Sequence, residues 1–71
     1  MQNRAGQLMR AWRGERSLAE VAHLVPSSRV AWLDWERGAR IPNRRMMPRV
    51  CAVVPGLEPG HFHEPAWQEA A

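Results

Sequence analysis

Apolar residues along the first half of the chain recur at the three-and-four spacing of helices, not the alternation of strands. Ala5, Leu8, Met9 and Trp12 fall on one face of a first helix, with Asn3 placed to cap its start and Gly14 to end it. Leu18, Val21, Ala22 and Val25 form a second, shorter stripe. It opens on Ser17-Leu18-Ala19-Glu20, a serine and a glutamate at the spacing of a capping box, and closes at Pro26, which disfavours helical backbone at Val25. Ser28 caps a third helix that runs to Arg37, where Gly38 supplies a residue able to take left-handed backbone. At about 100° per residue, Ala31, Trp32, Trp35 and Glu36 share one side of it, and Arg29, Val30, Leu33, Asp34 and Arg37 the other.

Ile41-Pro42-Asn43 reads as a turn, after which Met46, Met47, Val50, Cys51, Val53 and Val54 predict a fourth helix. Pro48 leaves two options: the helix starts near it, with proline in the first turn, or an earlier start is kinked there. From Pro55 onward three prolines and two glycines predict one short helical turn around Phe62, then a flexible tail over residues 63–71. There are no repeats and no low-complexity tract. The chain is therefore expected to be all-α, a compact four- to five-helix bundle with its domain over residues 1–62.

A chain of 71 residues buries roughly 60% of its unfolded surface on folding, so the core is thin and self-association would help it. Charge is unevenly placed. Residues 1–49 hold all ten arginines against four acids, a net +6, while residues 50–71 hold three glutamates and no arginine, a net −3. A basic front of this kind favours a polyanionic partner, and the acidic tail favours something other than nucleic acid. The single Cys51 excludes an internal disulfide and any Cys-x-x-Cys site, which suits a cytoplasmic location. The N-terminus reads as no signal peptide, and no apolar run is long enough to span a membrane.

No triad, paired carboxylates or glycine-rich phosphate loop stands out, so an enzyme is not expected, nor a cofactor or small-molecule substrate. His61, His63 and Glu64 lack the further ligands of a metal centre and read as surface. His23 is expected at the edge of the core, and Trp32 and Trp35, opposite Arg29, are expected to anchor it.

Two short helices joined by a tight turn, the second presenting an arginine beside serine caps, have the design of a helix-turn-helix. From Ser17 to Gly38 the string SLAEVAHLVPSSRVAWLDWERG resembles, without a gap, the Cro and lambda-repressor-like (Xre-type) helix-turn-helix family. The likeness rests on the Ser-x-x-Glu-Val-Ala opening of helix two, the Ser-Arg opening of helix three, and Trp-x-x-Trp-Glu-x-Gly followed by Ile41-Pro42; more loosely it covers about residues 8 to 62. Pro26 stands where the family's turn usually has glycine. The resemblance implies base readout by Arg29, Val30 and Asp34, with Ser28 at the edge, and Arg29 is suited to donate two bonds to guanine O6 and N7. It implies phosphate contacts from Ser17, Arg37, Arg40 and Arg44, which Arg45 can join. The family's arginine partner for Glu36 falls on Ala11, so Arg10 or Arg13 is expected to substitute.

The function this implies is a sequence-specific transcriptional regulator on double-stranded DNA, a small phage or mobile-element repressor, whether autoregulatory, antitoxin-like or anti-CRISPR-associated. Such families usually work as homodimers on palindromic operators, and Phe62 and Trp67 in the acidic tail suit a dimer interface. A protein–protein interaction module on the same scaffold, using Val30, Leu33 and Asp34, is the alternative.

Overall fold

A computed structural model describes residues 3–67 as four α-helices, α1 (Arg4–Arg13), α2 (Leu18–Ala22), α3 (Arg29–Arg37) and α4 (Met47–Val53), followed by a 3-10 turn at Pro59–His63. Among the described residues there is no strand, only an isolated bridge between Asn3 and Pro65, and no helix is long and apolar enough to cross a membrane. The fold is all-α.

Each of the first three helices begins where a side chain accepts an otherwise unpaired backbone N–H. Asn3 Oδ1 accepts from Gly6 at 2.7 Å, Ser17 Oγ from Glu20 and Ser28 Oγ from Ala31, both at 3.1 Å. At α4 the cap position is Met46, which has no side chain for the task. Asn43 Oδ1 accepts the Met46 N–H instead, at 2.9 Å, and Pro48 sits in the first turn, so the helix starts there without a kink. Gly38 closes α3 in left-handed backbone (φ 76°) and donates to the carbonyls at Asp34 and Trp35.

The core joins Ala5 and Met9 of α1, Val21 and Val25 around α2, Trp32 and Trp35 of α3, and Val50 of α4. Trp32 is fully buried, with its ring 6.1 Å from Trp12 and 6.0 Å from Trp35. α1 meets α3 at Gly6, where a Cβ would overlap the backbone carbonyl of Glu36. Glycine is what lets these two backbones approach.

Three expectations change. α2 ends at Ala22 and residues 23–26 continue as turns; Val21 and Val25 take the inner side, which leaves His23 exposed rather than at the core's edge. Phe62, expected at a dimer interface, is 3% exposed within the chain's own core. A thin bundle gains more by burying this ring itself than by leaving it for a partner.

The third change is the tail, which does not come loose at residue 63. Its backbone groups find partners on α1: Arg4 N–H donates to the Glu64 carbonyl at 2.9 Å. The Gln7 carboxamide pairs with both sides of the Trp67 backbone, donating to its carbonyl at 2.8 Å and accepting from its N–H at 2.7 Å. The Arg4 guanidinium lies 3.6 Å from the centre of the Trp67 ring, a cation–π contact. The rest of the expected tail, residues 68–71, lies outside the described residues.

Candidate nucleic-acid interface

α3 is held from one side and free on the other. Its inner side places Trp32, Trp35 and Glu36 in the interior. Glu36, with a side chain only 3% exposed, accepts from Arg13 Nε at 2.7 Å, Arg13 Nη2 at 3.0 Å and Trp32 Nε1 at 2.6 Å. The hydrogen bond to Glu36 holds the Arg13 guanidinium above arginine's ordinary value, with burial opposing it. Of the two arginines expected to serve Glu36, Arg13 does so and Arg10 is exposed. This anchor fixes the rotation of α3 about its axis, and with it the residues that face outward.

Those outward residues begin at the helix N-terminus. Ser28, Arg29 and Val30 are exposed, Val30 by 68%. The Ser28 hydroxyl oxygen is engaged as the cap, as is that of the exposed Ser17 at the start of α2. One turn further on, Asp34 does not stand free. Its side chain is 16% exposed, and its two oxygens face Arg37 Nη2 at 3.2 Å and Arg40 Nε at 3.8 Å, whose own side chains are 63% and 75% exposed. Arg44 and Arg45 are exposed in the turn that leads into α4.

The structure therefore joins Asp34, Arg37 and Arg40 into one charged group at the C-terminal end of α3, and sets Ser28, Arg29 and Val30 at the other end. Of the two residues expected at a dimer contact, Trp67 is exposed and Phe62 is not. The resemblance narrows the partner of Glu36 to two arginines, whereas the sequence reading includes neither the Asp34 cluster nor the Gln7–Trp67 pairing. The three-residue spacing from Asp34 to Arg37 was the available signal for the first; nothing local signals the second.

Other groups have structural uses. His61 Nδ1 accepts the Glu58 N–H at 3.0 Å, which caps the 3-10 turn, and His63 is exposed. Burial pushes the Cys51 thiol up, with Glu58 adding to the effect, so it stays protonated and packs against the core. The Ser27 hydroxyl is buried with no partner among the described residues.

No protein-family model matches this chain, and comparison with curated proteins and with solved structures gives no match.

Proposed function

We propose that this chain is a small sequence-specific DNA-binding regulator, in which α2 and α3 act as a helix-turn-helix and α3 lies in the major groove. The observation that carries this reading is the division of α3. Its inner side is locked by Trp32, Trp35 and the Arg13–Glu36 pair, while its outer side offers Ser28, Arg29 and Val30, followed by the exposed Arg37, Arg40, Arg44 and Arg45. A rigid helix with an arginine at its start suits major-groove readout. Arg29 donates to guanine O6 and N7, and Val30 is suited to a thymine methyl. Ser17 and the other four arginines hold phosphates, which set orientation and affinity rather than sequence.

In this reading the protein is a repressor of the phage or mobile-element kind and acts as a homodimer. Two copies of α3 enter successive major grooves about 34 Å apart on a palindromic operator. Trp67, exposed on the Arg4 side of α1, is the residue left for the dimer contact. Selection of bound fragments from random-sequence duplex DNA, with oligomeric state followed by light scattering, tests the whole reading. The expected result is an enriched palindrome bound by a dimer, with affinity that falls steeply as salt rises. Absence of any enriched sequence would sink it.

The exposed Val30 and half-exposed Leu33 on the outer side of α3, with Leu24 exposed in the turn after α2, favour a second reading, a protein-interaction module on the same scaffold. An apolar protein contact is insensitive to salt, so the same titration separates the two.

A further inference from the structure

The carboxylate of Asp34 occupies an unusual place for a base reader, because it is already spoken for. Its side chain is mostly covered, and it faces the guanidinium groups of Arg37 and Arg40 across 3.2 and 3.8 Å while both arginines extend into solvent. The main chain enforces this grouping: the Asp34 carbonyl accepts the Ala39 N–H at 2.9 Å and the Arg40 N–H at 3.3 Å, so the loop that carries Arg40 folds back onto residue 34. The geometry is thus built independently of the carboxylate and then filled by it.

We infer that Asp34 is a competing partner for this arginine pair, not a reader of bases, and that it lowers the affinity for all duplex DNA by holding Arg37 and Arg40 against phosphates; this rests on the DNA-binding reading above. When the two arginines turn to phosphates, Asp34 loses its partners and keeps its charge close to a polyanion. Each phosphate contact is therefore an exchange of one anionic partner for another instead of a new pair. Random duplex, bound through phosphates alone, does not overcome that exchange at concentrations where a site with the Arg29 base contact does. The carboxylate thereby sets the concentration at which binding begins, without preferring any base.

The test compares wild type and Asp34→Asn, nearly equal in shape, on a random-sequence duplex pool and on the duplexes selected from it, over a range of salt. Far-UV circular dichroism and melting confirm that the variant folds; the main-chain bonds at residue 34 do not need the carboxylate. The expected result is tighter binding to every duplex by about fivefold, the scale of a surface charge pair. The salt slope should steepen by about one unit, with the base preferences unchanged. Arg40→Gln should also weaken binding more in the Asp34→Asn background than in wild type, because there the arginine is free to serve phosphate alone. Loss of preference at a single base pair in Asp34→Asn would overturn the proposal and make Asp34 a base reader. Unchanged or uniformly weaker binding would overturn it as well. If wild type and variant both bind no duplex, the DNA-binding reading itself fails and this role goes with it.

Discussion

On the inner side of α3, Glu36 takes three hydrogen bonds from Arg13 and Trp32 with its side chain only 3% exposed. On the outer side, two residues earlier, Asp34 faces Arg37 and Arg40 with both arginine heads in water. The same chemistry has different consequences in the two places. A buried carboxylate without its partner has no solvent to fall back on, so the inner pair holds the fold in one arrangement. A pair whose arginine heads are in water is worth at most about 1 kcal/mol and opens readily, so the outer arginines can change partner at little cost to the fold. The two carboxylates of one helix thus separate a pair that the fold requires from pairs that it does not.

Several substitutions would break or sharpen that contrast. Trp32→Ala has the largest expected effect: it removes a fully buried ring and one donor to Glu36, at a cost of about 3–5 kcal/mol. In a domain this small most molecules should be unfolded at room temperature, as circular dichroism would show; a cooperative melt close to wild type would mean that the inner side is not the anchor. Arg13→Met keeps much of the side-chain volume but leaves Glu36 with the indole alone, and should cost about 3 kcal/mol in denaturant unfolding. The parallel change Arg37→Met on the outer side should cost less than about 1 kcal/mol, and equal costs would erase the distinction.

Gly6→Ala follows. Its Cβ would overlap the Glu36 carbonyl, so α1 must back away from α3, and about 1–3 kcal/mol should be lost even though alanine is the better helix former. A stabilised variant would show that the two helices are not in such close approach. Smallest in stability is Arg29→Ala, within about 0.5 kcal/mol of wild type by thermal melting, since the side chain is exposed and makes no bond that the fold needs. Its effect belongs to binding: about 1–3 kcal/mol of sequence discrimination should disappear while salt-sensitive affinity for random duplex persists. A drop in melting temperature that matches the binding loss would place Arg29 in the fold and not in the interface.

Much of this architecture is legible in the sequence. Asn3, Ser17 and Ser28 as caps, Gly14 and Gly38 as stops, the burial of Trp32 and Trp35, and the short turn at Phe62 all follow from residues three or four positions apart, within reach of one helical turn. The outward set at the start of α3 followed from the same periodicity. The start of α4 was legible only as a choice at Pro48, because Asn43 caps it from three residues before Met46 rather than from the usual position.

Tertiary structure alone decided what depends on where distant segments meet. The resemblance leaves Arg10 and Arg13 as alternative partners for Glu36, but the packing of α1 against α3 at Gly6 decides between them, and Glu36 meets Arg13 across 23 residues of sequence. Composition predicted a loose tail, yet Gln7 pairs with the Trp67 backbone 60 residues away and Phe62 turns inward. Local backbone and capping preferences act within a few residues and are written in adjacent letters. Which side chain meets which carboxylate, and whether an aromatic ring is spent on the core or kept at the surface, depends on the packing of the whole bundle.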